Sequence, residues 1–222
     1  MPEDPDVFAI DWTRYRLVDL SYAVIPPGTQ ERPFVTERSF LADNSFKHDV
    51  QTHTHVGTHV EAPAHFFEGG KTVLDLPLET FMGRSVLLKV TAAAAHIPLT
   101  AEGCRALLGD VIQPGDIVLC TNADQASRAA GSDAWPSLSP AAAHWFLEQG
   151  VKIAGIDNYF RLGLDVAMTR EVHDILMSRD VCFVEFLDHL DELKQPVFYF
   201  MALPFKVSSD SGWARAVAIE AR

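Results

Sequence analysis

Residues 53–65 hold four of the nine histidines in this chain of 222 residues, together with the carboxylate of Glu61. Neutral imidazole is the commonest metal ligand in proteins. A site built from histidine and carboxylate, without cysteine thiolates, is typical of catalytic zinc and also suits manganese. The segment therefore predicts a site for a divalent metal ion. The alternative is a histidine-rich surface strand that binds no metal.

The spacing of these residues predicts a bent, extended backbone. His55 and His59 are four residues apart, as on one face of a helix, but the intervening Val56-Gly57-Thr58 disfavours a helix. A straight strand would separate the two histidines by roughly 13 Å, which is too far for ligands of one ion. We therefore predict that the chain bends at Gly57 and turns again at the next proline.

The sequence of residues 55–65, HVGTHVEAPAH, resembles the H-x-G-T-H-x-D-x-P-x-H signature of the metal-dependent cyclase family. That family includes bacterial kynurenine formamidases and isatin hydrolases. Glu61 stands where these enzymes carry aspartate, and its longer side chain leaves the number of metal ions open. The resemblance covers nearly all of the chain, with further landmarks at residues 114–119, 139–145, 155–157 and 202–206.

Two later residues complete the site that the resemblance implies. Glu185 lies in an apolar run, where an ionised carboxylate is costly unless it is paired, bound to a cation or turned outward. His173 precedes Glu185 by twelve residues and would, alone, be an ordinary packing or surface histidine. Kynurenine formamidases carry a late histidine and glutamate at this same separation. The implied ligands are His55, His59 and Glu61 for a first ion, and His65, His173 and Glu185 for a second.

A single ion is the other version of this site, with His65 and Glu185 as acid and base. The expected cofactor is zinc or manganese, as one or two ions; such an ion lowers the pKa of bound water and polarises a carbonyl group. With the resemblance, this chemistry predicts a hydrolase of a small amide, lactam or formamide, acting on C–N bonds other than peptide bonds. In the one-ion version, His65 and Glu185 move the proton from water to the leaving nitrogen.

Two alternatives to this function stay open. One is a hydrolase of a non-aromatic cyclic imide or lactone, and the other is a non-catalytic metal-binding protein. An enzyme needs an open coordination position, whereas a structural site is closed.

Composition and charge limit the possible partners. The formal charge of −12 argues against nucleic acid and anionic membranes, and no apolar run approaches the roughly 20 residues of a membrane helix. The cysteines at 104, 120 and 182 are scattered, which predicts reduced core thiols in a cytoplasmic protein. The expected partners are a small-molecule substrate and further copies of the chain, in a homodimer or a higher homo-oligomer.

Strands and helices interleave along the chain, which indicates an α/β or mixed α+β fold. Strands are predicted at residues 16–24, 85–90, 116–121, 151–157, 181–187, 197–202 and 214–219. Three helices are predicted to follow the capping residues Thr100, Ser139 and Thr169 and to end near residues 108, 149 and 178. Residues 29–43 and 122–137 are expected to be irregular. The resemblance implies one α/β domain over residues 1–222, of the swivelling β/β/α type, with a barrel-like mixed sheet and packed outer helices.

Several other aromatic residues and histidines lie near these motifs. The corresponding N-terminal region of the family helps to wall the substrate pocket, which would give this role to Phe34 and Phe40. His53 is either a support for a ligand or solvated, and His189 is left unassigned. The three histidines interpreted as structural or surface residues are His48, His96 and His144.

Overall fold

The computed structural model describes residues 10–90 and 98–222, which form ten strands and four α-helices. The strands are, in chain order, β1 (Tyr15–Asp19), β2 (Phe34–Phe40), β3 (Phe46–Thr52), β4 (His59–Glu61), β5 (Met82–Val90), β6 (Ile117–Asn122), β7 (Ile153–Asp157), β8 (Cys182–Leu187), β9 (Val197–Pro204) and β10 (Ser211–Ala221). The α-helices are α1 (Ala101–Leu108), α2 (Gln125–Ala130), α3 (Pro140–Glu148) and α4 (Val166–Met177). The predicted strand end at residues 91–95 and the interpretation of His96 lie outside the described residues.

Seven of these strands close into a barrel-like mixed sheet. Hydrogen-bonded neighbours follow the order β10-β4-β8-β7-β6-β5-β9, and β9 pairs with β10 to close the ring. Strands β5 to β8 run parallel to one another, whereas β4, β9 and β10 pair antiparallel with their neighbours. The eighth strand of the sheet, β1, pairs with β10. The predicted α/β fold with a barrel-like mixed sheet and outer helices is confirmed.

Alternate residues of the central strands pack into two apolar cores. Strands β6 and β7 are buried along their whole length, as expected for parallel strands that are covered on both faces. In β6, Ile117 and Leu119 belong to the core inside the barrel. Val118 and Cys120 belong to the second core, which α1, α3 and α4 cover with residues such as Phe146. The helices therefore form an outer layer against one side of the barrel.

Polar side chains cap the helices at their first turns. Thr100 and Ser139 each accept a hydrogen bond from a backbone N–H three residues further on, as predicted. The predicted start of the last helix is wrong, because Asp165 rather than Thr169 caps α4. Aspartate caps helices at least as well as threonine, and the earlier start adds a full turn before His173.

Two regions that the sequence predicts to be irregular contain regular elements. Residues 29–43 include β2, and residues 122–137 include the six-residue helix α2. β2 pairs with β3 in a hairpin outside the barrel, and β3 is exposed along almost its whole length. Neither strand therefore shows the apolar alternation that identifies a half-buried strand. The first strand is also shorter than predicted, since β1 ends at Asp19.

The three cysteines are buried and form no disulfide among the described residues, as predicted. Burial raises the pKa of the thiols of Cys104 and Cys182 to about 12. A thiolate nucleophile is therefore not available at neutral pH from either residue. Within residues 10–90 and 98–222, no helix has the length and apolar character needed to span a membrane.

The bend predicted at Gly57 is confirmed. Its φ angle is +67°, a left-handed conformation that glycine adopts without a steric penalty. A Cβ atom there would lie 2.3 Å from Val24 Cγ2, so the packing as well as the dihedral angle requires glycine. The chain then enters β4 and turns again in a short 3-10 helix at Pro63–His65, as predicted for this proline.

We expect Gly57→Ala to lower the free energy of unfolding by more than the roughly 1–2 kcal/mol of a left-handed alanine, because the methyl group also collides with Val24. The matched control is Gly115→Ala, since Gly115 has a φ of +86° but no atom within 4 Å of its Cβ position. Urea unfolding of both variants measures the difference. Equal destabilisation by the two substitutions would contradict the close approach to Val24.

Candidate metal centre

The six residues predicted from the sequence come together at one cleft of about 440 Å³. Five of them line it directly, and the side chain of His59 is buried at its base, next to Glu61. The lining residues are Glu31, Arg32, His53, His55, Glu61, His65, Phe66, Thr169, His173 and Glu185. Phe34 and Phe40 do not line the cleft: Phe34 packs against Trp213, and Phe40 is largely exposed beside Phe46.

The register of the strands determines the positions of His59, Glu61 and Glu185. The short strand β4 lies between β10 and β8, so His59 is directly opposite Glu185 across the ladder. On the other side, Glu61 is opposite Ser211, the first residue of β10. Directly opposite residues in antiparallel strands bring their side chains within contact distance. Residues that are far apart in the chain are therefore adjacent because β4 pairs with both strands.

Glu61 lies at the centre of the site, next to three of its histidines. Its Oε1 lies 2.8 Å from His55 Nδ1 and 3.3 Å from His59 Nε2. Its Oε2 lies 3.6 Å from His173 Nε2 and has no hydrogen-bond partner among the described residues. Burial raises the pKa of this carboxyl, but the adjacent imidazoles of His173, His55 and His59 outweigh burial and hold the pKa well below its usual range. Glu61 is therefore an ionised carboxylate that is 3% exposed, with one buried oxygen unsatisfied.

Backbone carbonyls orient two of the imidazole rings. His59 Nδ1 donates to the Gly57 carbonyl at 2.8 Å, and His173 Nδ1 donates to the Thr169 carbonyl at 2.6 Å. Because a carbonyl oxygen only accepts, both Nδ1 atoms carry the proton when the rings are neutral. Each Nε2 then presents a lone pair towards Glu61, which is the arrangement that metal-ligating histidines commonly have.

Asp210 is a site residue that the sequence did not reveal. Its Oδ2 lies 2.8 Å from His55 Nε2 and 2.9 Å from His65 Nδ1, and Ser211 Oγ lies 3.1 Å from the same nitrogen of His55. Asp210 stands in the polar stretch Ser208-Ser-Asp-Ser211, which has the composition of an ordinary turn. Only its position immediately before β10, next to β4, brings it into contact with His55 and His65.

Asp210 and Glu61 together set the charge of His55. Burial lowers the pKa of His55, but hydrogen bonds to Glu61 and Asp210 outweigh burial and raise it to about 9. Conversely, burial raises the pKa of Asp210, but hydrogen bonds from His55 and His65 lower it overall. His55 therefore lies between two carboxylates, each of which favours a positive charge at that position.

Glu185 differs from Glu61 in its environment. Burial raises the pKa of Glu185 to about 7, and the negative charge of Glu61 acts in the same direction. The positive charges of His59, His173 and Arg32 oppose these effects. No hydrogen bond to the Glu185 carboxylate occurs among residues 10–90 and 98–222, and the side chain is partly exposed to the cleft. Two neighbouring carboxyl groups thus have pKa values that are shifted in opposite directions.

The donor atoms fit a divalent cation. They form three groups in which the potential ligand atoms all lie within 4.8 Å of one another: His55, His59 and Glu61; Glu61, His173 and Glu185; and His55, His65 and Asp210. The first group is the ligand set expected for a first ion. The second group contains Glu61 in place of His65, which the family resemblance implied as a ligand of the second ion. A cation beside Glu61 Oε2 would satisfy the buried oxygen that has no hydrogen bond. Nitrogen and carboxylate donors without thiolate suit zinc or manganese.

The other histidines that the structure describes lie outside this group of donors. His53 is exposed at the edge of the cleft, and its Nδ1 accepts a hydrogen bond from the His55 N–H at 3.2 Å. His48 and His144 are exposed, in β3 and α3. His189 is exposed, with a φ of +57°, and its Nδ1 lies 3.6 Å from a carboxylate oxygen of Glu192.

We expect purified protein to bind a divalent metal ion and His59→Ala to weaken that binding at least tenfold, because the ring nitrogen that faces Glu61 is lost. His144→Ala, which removes an exposed histidine from α3, is the matched control and should bind as the wild type does. Metal analysis and competition with a chelator measure stoichiometry and affinity. Unchanged binding by a folded His59→Ala protein would contradict the role of His59.

Shortening the Glu61 side chain tests whether its carboxylate contributes to metal binding. We expect Glu61→Asp to bind metal more weakly than the wild type and more tightly than Glu61→Ala, because aspartate keeps the charge but retracts the oxygens from His55 and His59. Glu220→Asp is the control for shortening a buried glutamate, since Glu220 binds backbone N–H groups of residues 194 and 195 away from the cleft. It should lower thermal stability and leave metal affinity unchanged. Equal affinities of the Glu61→Asp and Glu61→Ala proteins would show that the retained charge does not contribute.

The chain matches known proteins in sequence and in fold. A family model described as "Putative cyclase" matches residues 18–160. A kynurenine formamidase from Bordetella petrii is 26% identical over 163 residues, which cover 72% of this chain and 74% of that protein. Isatin hydrolase A from Labrenzia aggregata has a TM-score of 0.75 at 21% identity, with 94% of each chain covered. A predicted metal-dependent hydrolase from Bacillus stearothermophilus has a TM-score of 0.70 at 22% identity, with 92% of this chain and 98% of that chain covered. The structural likenesses show a shared fold, and the match over residues 18–160 shows that this chain belongs to the putative cyclase family.

Proposed function

We propose that this protein is a metal-dependent amidohydrolase that cleaves a C–N bond in a small amide, lactam or formamide. The observation that carries the proposal is the pair Glu61 and Glu185 in one cleft: one carboxyl group is ionised and buried, and the other has a pKa of about 7. Such divergent pKa values at one site are typical of groups with separate acid–base roles. The names of the relatives, a kynurenine formamidase and isatin hydrolases, support the same class of reaction.

In this proposal, His55, His59 and Glu61 hold one zinc or manganese ion. Glu61, His173 and Glu185 are the residues available for a second, with Glu61 shared between the two groups. A bound ion would supply a Lewis acid and a lowered pKa for water. The chain's own contribution is to fix the donor atoms, since carbonyl groups orient His59 and His173 and the β4 ladder positions Glu61.

Proton transfer is assigned to Glu185 and His65. Glu185 faces the cleft without a hydrogen bond among the described residues, and a pKa of about 7 lets it accept or donate a proton at neutral pH. His65 Nδ1 is held by Asp210 at 2.9 Å, and its Nε2 lies 3.8 Å from Glu61 Oε1. Asp210 therefore orients His65 so that Nε2 is the atom available to protonate a leaving nitrogen.

The open cleft favours an enzyme over a non-catalytic metal-binding protein. His55, His65 and Glu185 are each partly exposed to a space of about 440 Å³. Structural metal sites are closed by protein ligands, whereas catalytic sites keep a position for water or substrate. A volume of this size lies within the range of small-molecule sites.

Glu185→Gln tests this function, because it removes the proton-transferring charge while keeping the size of the side chain. We expect a folded protein whose turnover falls roughly 10²–10⁴-fold. The measurement is hydrolysis of N-formylkynurenine, isatin and simple lactones by the metal-loaded protein, together with thermal stability and metal content. Glu148→Gln, at an exposed position of α3, is the control and should keep full activity.

Near-normal turnover of Glu185→Gln would remove Glu185 from the catalytic site. Loss of one of two bound ions would make it a ligand rather than a proton carrier. If the wild type hydrolysed only the lactones, the scissile bond would be an ester rather than an amide. If it hydrolysed none of these compounds, the proposed substrates would be rejected.

A further inference from the structure

Arg32 gives the cleft a positive charge that is neither a proposed metal ligand nor a proposed proton carrier. It lies just before β2 and is the only lysine or arginine among the described residues that line the cleft. The acidic residues of the lining are Glu31, Glu61 and Glu185. The chain as a whole carries a formal charge of −12. Arg32 is therefore the only permanently positive side chain in the described lining that could attract an anionic substrate.

The guanidinium of Arg32 is held in place over the site. Its Nη1 donates to the carbonyl of His55, and its Cζ lies 4.2 Å from the centre of the Phe186 ring. Two hydrogen bonds with Thr29 fix the loop behind it: Thr29 N–H donates to the Arg32 carbonyl at 3.0 Å, and Arg32 N–H donates to Thr29 Oγ1 at 3.0 Å. Stacking on an aromatic face and one hydrogen bond restrict the side chain before any ligand arrives.

Arg32 has no carboxylate partner within the part of the chain that the structure describes. Its hydrogen bond to His55 leaves most of its N–H donors unused. Several other arginines form ion pairs with carboxylates: Arg16, Arg84, Arg128, Arg170 and Arg215. A guanidinium whose fork is oriented and unpaired is suited to bidentate binding of a carboxylate.

On the basis of the proposed function, we propose that Arg32 binds a carboxylate group of the substrate. The substrate class is then a small amide or formamide that also carries a carboxylate, as N-acylated amino acids do, rather than a neutral lactam. The carboxylate would lie beside the Arg32 guanidinium at the edge of the cleft, and the scissile amide would lie beside His55, Glu61 and Glu185. Arg32 is thus a specificity-determining residue, and it does not itself carry a proton in the reaction.

The test compares an acid with its neutral ester, first by binding and then by hydrolysis. The binding probes are 2-aminobenzoate and its methyl ester, which differ in charge and contain no amide bond to cleave. Calorimetry on the metal-loaded protein gives the ratio of the two dissociation constants. We expect the wild type to favour the acid by about tenfold or more, as for a charge-assisted hydrogen bond. Arg32→Gln should abolish this preference and leave the affinity for the ester unchanged.

The matched control is Arg38→Gln. Arg38 also stacks on a phenylalanine, with its Cζ 3.6 Å from the centre of the Phe46 ring, but it lies on the exposed hairpin. It should keep the wild-type preference for the acid. If Arg32→Gln fails to fold, Arg32→Lys decides: it keeps the charge without the fork, so a reduced preference supports the proposal and an unchanged one overturns it. Equal binding of acid and ester by the wild type, or a preference that survives in Arg32→Gln, also overturns it.

Hydrolysis separates this proposal from the proposed function. The substrates are 2-formamidobenzoate and its methyl ester. Arg32-dependent binding of the acid without turnover of either compound would reject the amidohydrolase and keep the carboxylate site. Turnover of both compounds with equal kcat/KM, unaffected by Arg32→Gln, would keep the amidohydrolase and reject the carboxylate site.

Discussion

The site depends on the burial of one ionised carboxylate, that of Glu61. A charge in this position is stable only if neighbouring groups compensate for lost hydration. Three imidazole nitrogens lie within 3.6 Å of its two oxygens, and one oxygen still has no hydrogen bond among the described residues. Removing one partner of a buried charge typically costs about 3–5 kcal/mol. The positions of His55, His59 and His173 are therefore linked to one another through this single group.

The barrel supplies the rigidity that such a cluster needs. Glu61 belongs to a strand of three residues, which is held on both sides by longer strands, β10 and β8. All three residues of β4 are buried. The histidines reach Glu61 from different elements: His55 lies just before the bend at Gly57, His59 lies on the strand itself, and His173 lies on α4. A bend, a strand and a helix thus bring donors to the same point, and the surrounding cores keep their spacing.

The length of the Glu61 side chain fits this geometry. Its two methylene groups let one carboxylate extend between His55 and His59 on one side and His173 on the other. The opposite environments of Glu61 and Glu185 then follow from position. Glu61 is surrounded by imidazole nitrogens, whereas Glu185 has no hydrogen bond to its carboxylate within the described chain and lies beside a negative charge. Asp210 adds a further carboxylate behind His55 and His65, so the imidazoles lie between acidic groups on two sides.

Local sequence signals account for much of the fold and for most of the candidate site. The caps at Thr100 and Ser139, the bend at Gly57 and the buried strands were predictable, because each depends on a few adjacent residues. The cluster of residues 53–65 identified the chemistry for the same reason. The family resemblance, and not any spacing rule, connected His173 and Glu185 to it. The hairpin of β2 and β3 was missed because both faces are largely exposed and no apolar alternation marks them.

Tertiary structure alone decided how the charges are shared. Asp210 is far from His55 in sequence, and no spacing pattern relates them; the pairing of β4 with β10 brings them within 2.8 Å. The placement of Arg32 over Phe186 depends in the same way on where a loop and the end of β8 meet. Short segments of the sequence identify the residue types of a site, but pKa values, ligand groupings and charge balance depend on distances between segments. Those distances exist only after the barrel closes.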